Sequence, residues 1–334
     1  MQFFQPTLHP PPLSPTLSGR TAIITGANTG IGLETARQLL LRRASPVILA
    51  VRNPQKGAAA RATLLADPAI AALDPPPTIS VARLDMDDPA SIAAFAAEAR
   101  ASLPALDVLV LNAGIGPVAF ARSANTPHEQ VLMVNFLAPV LLLLSLLPLL
   151  RAAAAATGAP ARVTWTGSRA HRSGVPGLKS RVPEARLLEY MDAEENFSFV
   201  RYPDSKLLAV MFMYEWAARR SVAEGEVVFN MFCPGMVHTA ITDVLPWWMR
   251  VPLGVVKALR ARTAEEGGWV GCNAVAVVGE ESHGKFLLDM DVVEEDEFVK
   301  SQEGKRLQKM LWKETVEEMK KYVDVPEWME EISS

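Results

Sequence analysis

Cysteine is nearly missing from this chain. Among 334 residues, only Cys233 and Cys272 carry thiols. They lie far apart, with no Cys-x-x-Cys and no adjacent His pair, so their spacing excludes a disulfide framework and a zinc site. A reducing, cytoplasmic setting is expected. Excess basic charge is missing too. Lys and Arg number 33 against 37 Asp and Glu, a formal net charge of −4. Nothing in that balance invites nucleic acid or an anionic membrane surface. Long hydrophobic runs are also lacking. The longest, Phe136–Leu150, contains Pro139 and Pro148 and falls short of the ~20 residues a membrane-spanning helix needs. A buried helix is expected there. Met1–Gly19 has no charged n-region followed by an apolar h-region, so it reads as a poor signal peptide. It is rich in proline and is expected to be an extended arm on the surface, or unstructured. No internal repeat and no linker divides the remainder.

What the chain does have is apolar material, 49% of its residues, arranged in alternation. Strand-like runs fall at Thr21–Thr25, Pro46–Val51, Ile79–Leu84, Val108–Leu111, Arg162–Trp165, Glu226–Phe232 and Lys285–Leu288. Helical patterns fall at Gly30–Arg42, Pro54–Leu65, Ala90–Ser102, His128–Leu150 and Tyr202–Val222. Strands alternating with helices predict an α/β fold: a single doubly wound parallel sheet of Rossmann type with helices on both faces. Ligand then binds outside the carboxyl ends of the strands. The expected organisation is an arm over residues 1–19 and one catalytic domain over 20–334. Outside the alternation lie an insertion at 171–200, a segment at 240–264 and a charged C-terminal extension from 295. The extension's Lys305–Tyr322 portion reads as an amphipathic helix, solvated on the surface and packed by Leu307, Leu311 and Met319.

Two short runs carry chemistry. Thr25-Gly26-Ala27-Asn28-Thr29-Gly30-Ile31-Gly32 follows the first strand. Glycine is needed where φ is positive or where backbone must approach a phosphate, and the next helix offers free N–H groups to an anion. The second run is Tyr202-Pro203-Asp204-Ser205-Lys206. It sets a phenol and an ammonium one helical turn apart on one face. A free phenol, with a pKa of about 10, is a poor proton donor at neutral pH; the Lys206 ammonium is expected to lower that pKa. At the end of the second strand stand Val51, Arg52 and Asn53. An acid there would bind a ribose 2′-hydroxyl; a guanidinium suits a 2′-phosphate.

On these two runs the chain resembles the short-chain dehydrogenase/reductase family. The spacing Gly-x-x-x-Gly-x-Gly is that family's form. The resemblance covers about Arg20 to Met290 and implies an oxidoreductase using NADP(H). It implies cofactor contacts at Gly26, Asn28, Thr29, Gly30, Ile31, Gly32, Arg52 and Asn53. It adds Asp85-Met86 at the adenine edge and Asn112-Ala113-Gly114 beside the adenine ribose. Pro234, Gly235, Val237 and Thr239 match the segment that meets the nicotinamide carboxamide. It also implies a catalytic tetrad of Asn135, Ser168, Tyr202 and Lys206, with Ser168 and Tyr202 on the substrate oxygen. Thr166 is a rival hydroxyl that fits the motif less well. Asn135 would hold a water leading from Lys206 to solvent, or satisfy a buried backbone group. The gap from Ser168 to Tyr202 exceeds the family norm by the 171–200 insertion, expected to be a loop over the substrate pocket.

Residues 240–264 match the family's mobile lid. Trp247, Trp248 and Met249 make an apolar, adaptable surface, which implies a lipophilic substrate; alternatively one Trp packs in the core while the other anchors the lid or meets a membrane surface. Tyr190, Met191, His171 and His238 are expected to be structural or merely nearby. The chain is similar to the retinol-dehydrogenase-like branch, which includes fungal natural-product reductases, so a terpenoid, polyketide or other lipophilic carbonyl is implied. A catalytically silent cofactor sensor is the competing reading, opposed by the intact tetrad. An epimerase or dehydratase fits poorly. Helices Phe136–Leu150 and Tyr202–Val222 resemble those the family uses to form homodimers, or else are buried within one subunit. No metal site is expected.

Overall fold

The structure is a computed structural model and describes residues 5–116, 119–173, 177–225, 227–238, 254 and 260–331. Strands β1 (Ala22–Thr25), β2 (Val47–Val51), β3 (Ile79–Arg83), β4 (Val108–Leu111), β5 (Ala161–Thr166), β6 (Val227–Cys233), β7 (Phe286–Leu288) and β8 (Asp291–Val293) build one sheet. Its main helices are α1 (Gly30–Leu41), α2 (Pro54–Leu65), α3 (Pro89–Ser102), α4 (Gln130–Thr157), α5 (Leu187–Asp192), α6 (Arg201–Arg219), α7 (Ala264–Cys272) and α8 (Gln302–Met319).

The strand order is β3-β2-β1-β4-β5-β6-β7-β8. Every neighbouring pair is parallel except β7 with β8. β1, β2, β4 and β6 are buried at every residue. This is the pattern of parallel strands covered on both faces. From β1 the chain winds outward through β2 to β3, then returns to β4 on the other side of β1. The two crossovers leave β1 and β4 in opposite directions, opening a crevice at the carboxyl ends of these central strands.

Short-range chemistry sets the helix starts. Asn53 caps α2 and Asp88 caps α3, each followed by proline at the first helical position, where its missing N–H is not needed. A Thr263–Glu266 capping box opens α7. α7 lies close against α1. A Cβ on Gly268 would meet the Glu34 Cβ at 2.5 Å and its carbonyl oxygen at 2.9 Å, so glycine allows this approach.

Several expectations need correction. α4 runs on to Thr157, with Pro148 inside it and a π turn at Met133–Leu137. It is long and apolar enough to cross a membrane by length and composition, yet 94% of its most apolar window is buried inside the protein. α6 ends at Arg219, three residues before the expected Val222. α7 and the short antiparallel β8 had no counterpart in the sequence reading. The C-terminal helix is amphipathic as expected, with Glu303, Lys305, Arg306, Lys309, Lys313 and Glu317 exposed on its outer face, but its apolar face is packed more deeply than a surface helix requires. Leu307, Leu311, Trp312 and Met319 are all buried, and the Trp312 ring stacks on Phe212 of α6 at 5.1 Å. The N-terminal arm is extended but pinned: the buried Arg42 guanidinium donates to the Pro11 and Pro12 carbonyls at 3.0 and 2.6 Å. For α4 and α6 the second of the two readings fits: they are mostly buried within the subunit.

Candidate active site

The glycine turn lies at the end of β1. Gly26 and Gly30 have φ of +64° and +58°, conformations that L side chains resist. A Cβ on Gly32 would sit 2.5 Å from the Asn112 Nδ2 and 2.7 Å from the Gly26 carbonyl oxygen. Thr29 precedes α1 in extended conformation without a side-chain cap, and no acid stands in the first turn. The free N–H groups and the positive end of the helix dipole are therefore left for an anion. Asn28 and Ile31 flank this cradle, half-buried. The residues fit a dinucleotide pyrophosphate.

Asn112 braces the cradle. Its Nδ2 donates to the Thr25 carbonyl at 2.9 Å, and its Oδ1 accepts from the Thr166 hydroxyl at 3.3 Å. The Thr25 hydroxyl in turn accepts from the Asn112 and Ala113 N–H groups, both at 2.9 Å. Thr166, the rival hydroxyl, is thus tied to the sheet. At the end of β2, Val51 is buried and Arg52 is exposed. The Asn53 side chain is engaged in capping α2 through the Lys56 N–H at 3.0 Å. One Asp85 carboxylate oxygen accepts from the Asp87 N–H at 3.1 Å. Met86 sends its side chain into the core, leaving only its main chain for a ligand.

The Tyr202 side of the cleft meets the cradle through Gly114. A Cβ there would lie 3.2 Å from the Asn135 Oδ1 and 3.8 Å from the Lys206 Nζ, and one on Gly26 would lie 3.1 Å from the Ala113 Cα. The two runs read from the sequence therefore face one cleft. Lys206 is buried and donates to the Thr166 carbonyl at 2.8 Å. Its ammonium stands 5.7 Å from the centre of the Tyr202 ring.

Burial dominates the electrostatics. It pushes the Tyr202 pKa up to about 12; the neighbouring Cys233 adds to this and the Ser168 hydroxyl offsets part of it. Burial also lowers Lys206 to about 8, opposed by Cys233. The expected fall of the phenol pKa is therefore reversed in the free protein. Taking the phenolate out of water is the largest cause, and the Lys206 ammonium is committed to the Thr166 carbonyl.

Asn135 sits inside the π turn, where the Ala138 N–H reaches back five residues to the Met133 carbonyl. Such bulges recur at functional sites. Its Oδ1 accepts from the Ile115 N–H at 2.8 Å, and its Nδ2 donates to the Ile115 carbonyl at 2.9 Å and the Ser205 hydroxyl at 3.1 Å. Its side chain satisfies backbone groups, one of the two roles expected of it. Ser168, half-buried, accepts from the Ala170 N–H at 3.2 Å. His171 is buried and bonds the Ser168 carbonyl through Nδ1 at 2.7 Å. Burial lowers its pKa to about 4, so it is neutral and structural.

Sequence reasoning missed Cys233. Its sulfur accepts from the Arg169 N–H at 3.1 Å and the Gly235 N–H at 3.4 Å, tying the Ser168 loop to Pro234-Gly235-Met236-Val237. Its only sequence signal is its place directly before Pro234. Arg201 was missed too. Buried beside Tyr202, its guanidinium lies 3.8 Å from the buried Glu129 carboxylate at the start of α4. Thr239, Trp247 and Trp248 lie outside the described residues. No cluster of metal-ligating side chains occurs among the described residues.

A family model described as short chain dehydrogenase matches residues 20–179. The short chain dehydrogenase yanD of Aspergillus niger is 46% identical over 330 residues, covering 98% of each chain. The chain belongs to the short-chain dehydrogenase/reductase family. Other members include the short chain dehydrogenase macD of Penicillium terrestre, 46% identical over 98% of each chain. The short-chain dehydrogenase/reductase tropG of Talaromyces stipitatus is 44% identical, again over 98% of each. Among solved structures, the Pseudomonas aeruginosa RhlG/NADP active-site complex aligns with a TM-score of 0.61 at 22% identity, over 82% of this chain and 95% of that one. A 3-oxoacyl (acyl-carrier-protein) reductase from Agrobacterium tumefaciens with NADP bound aligns with a TM-score of 0.59 at 24% identity, over 82% and 93%. At these identities the solved structures speak for the fold. This short-chain dehydrogenase/reductase is thus an oxidoreductase by family.

Proposed function

We propose that the chain is an NADP(H)-dependent reductase that interconverts a carbonyl and an alcohol on a lipophilic small molecule. The observation that carries the reading is the shared cleft: Lys206 and Asn135 meet Gly114 on one side, and Gly26 packs on Ala113 beside it. The exposed Arg52 guanidinium next to the uncharged Val51 favours a ribose 2′-phosphate over a free hydroxyl. Solved structures of the same fold hold NADP, so the fold is compatible with that cofactor. When bound, the reduced nicotinamide supplies hydride to a carbonyl carbon.

The chain's own residues do the remainder. Ser168 and Tyr202 donate hydrogen bonds to the carbonyl oxygen and steady the charge that develops there. Tyr202 gives its proton to that oxygen as the alcohol forms. A phenol whose pKa is about 12 is fully protonated at neutral pH, and it gives up that proton only as hydride addition builds negative charge on the carbonyl oxygen. Lys206 restores the proton by way of Asn135 and solvent, and binds the nicotinamide ribose. Pro234, Gly235, Val237 and Thr239 hold the carboxamide, and Trp247 and Trp248 shape an apolar substrate pocket. The arm over 1–19 and one catalytic domain over 20–334 complete the proposed organisation, in the cytoplasm of a cell making natural products.

The cofactor half is tested by kcat/KM with NADPH and NADH across a panel of lipophilic ketones and aldehydes. Wild type is expected to prefer NADPH. Val51→Asp/Arg52→Ala is expected to lose most of that preference, roughly 100-fold for a 2′-phosphate contact worth about 2–3 kcal/mol. An unchanged preference overturns the assignment of Arg52.

A further inference from the structure

The N-terminal arm reaches the active-site wall. Gln5 lays its amide against the main chain: Nε2 donates to the Met236 carbonyl at 3.0 Å and the Arg260 carbonyl at 2.7 Å, while Oε1 accepts from the Met236 N–H at 2.6 Å. One side chain thus pairs both backbone groups of a residue 231 positions away. Beside it, the buried Arg262 guanidinium donates to the Pro234 carbonyl at 3.0 Å, to the Pro6 carbonyl at 2.7 Å and to Asp289. Arg262 also pairs its backbone with Met236 and His238, at 2.8 and 3.0 Å. Gly235, with φ of +80°, makes room: a Cβ there would lie 2.0 Å from the Gln5 Oε1.

The wall so held belongs to the cleft. The Gly235 N–H donates to the Cys233 sulfur, which also takes the N–H of Arg169, the residue after Ser168. A chain of contacts runs from Gln5 through Met236, Gly235 and Cys233 to the Ser168 loop. Pro234–Val237 belongs to no helix and no strand of the main sheet. Without Gln5 the Met236 N–H loses its partner and the Met236 carbonyl keeps only the Arg262 N–H, so the segment is freer to sample other conformations and ligand binding would bear the cost of ordering it.

We propose that the N-terminal arm pre-orders the Pro234–Val237 wall for cofactor and substrate, with Gln5 as the positioning residue. The inference rests on the functional reading above, since it gives that wall a ligand to meet. The test uses the full chain as wild type, Gln5→Ala, Gln5→Glu and, as a control elsewhere on the arm, Leu13→Ala; Leu13 is 63% exposed. The readouts are the NADPH dissociation constant by fluorescence, amide hydrogen exchange at Met236, thermal midpoint, and kcat and KM.

Gln5→Ala is expected to weaken NADPH roughly tenfold, the equivalent of one to two hydrogen bonds. KM should rise with it while kcat changes less. Met236 exchange should quicken while the thermal midpoint holds. Gln5→Glu, which replaces the Nε2 donor with an anionic oxygen facing the Met236 and Arg260 carbonyls, is expected to weaken NADPH and quicken Met236 exchange at least as much as Gln5→Ala. Leu13→Ala is expected to match wild type. Faster exchange with unchanged affinity, or equal weakening by Leu13→Ala, overturns the positioning role. A wild-type protein that binds neither NADPH nor NADH overturns the functional reading instead.

Discussion

At the scale of single residues, the decisive competition is between burial and charge. Tyr202 and Lys206 were legible because helical spacing puts residues four apart on one face. Their ionisation was not legible, because a sequence states which charges are neighbours but not how much water they lose. The free protein holds Lys206 near 8, so its ammonium is fully present below that pH and is lost as pH rises through it. kcat/KM for the cofactor reports groups of the free enzyme and is expected to fall as pH rises through about 8. Lys206→Arg, which cannot lose its proton there, should remove that limb, seen in steady-state pH profiles. A limb that stays at the same pH in the variant excludes Lys206 as its source. Cys233 and Gln5 were silent in the sequence for the same reason: their roles are contacts with main chain far away, and no periodicity encodes them.

Among elements, strands and main helices followed from their patterns, and so did the amphipathic tail helix, though not the partners of its apolar face. Periodicity identifies the apolar face of α8 but not what covers it. Here Trp312 stacks on Phe212, and the Trp328 ring meets Trp216 edge-on at 4.9 Å. Nor could a pattern show the π turn at Asn135, which inserts a single residue into an otherwise regular helix. A buried latch adds to the docking of α8. His128 bonds Asp192, the last residue of α5, at 2.8 Å and lies 3.1 Å from Glu318 of α8. Burial opposes its charge, but the two carboxylates outweigh it and raise its pKa to about 9. Because the folded value exceeds the unfolded one of about 6.5, the added stability is fully present below pH 6.5 and is lost as pH rises through 9. His128→Asn is expected to lower unfolding free energy by roughly 2 kcal/mol at pH 6, with the difference shrinking by pH 10 in urea titrations. An equal difference at both pH values contradicts the latch. Trp312→Ala should cost about 3–5 kcal/mol, read from the same titrations.

For the whole molecule, topology places the site. The order in which strands join the sheet puts the switch between β1 and β4, and the Gly26 turn and the Asn112–Gly114 turn follow those two strands directly. The alternation of runs made this fold readable; the coverage of α4 and α6 inside one subunit was not, since an apolar helix looks alike whether it meets its own chain or a second copy. Cofactor binding should stabilise the entire fold by about 2.7 kcal/mol at a hundredfold excess over its dissociation constant, and NADPH should raise the thermal midpoint more than NADH at equal concentration. The central claim is that the Tyr202 phenol supplies the proton in carbonyl reduction. Its most direct test compares wild type with Tyr202→Phe for both turnover of a reducible lipophilic carbonyl and NADPH affinity. The account predicts turnover lost by at least about a thousandfold, within the range of general acid catalysis, with NADPH affinity within about twofold of wild type. Turnover that survives the loss of the hydroxyl would contradict it.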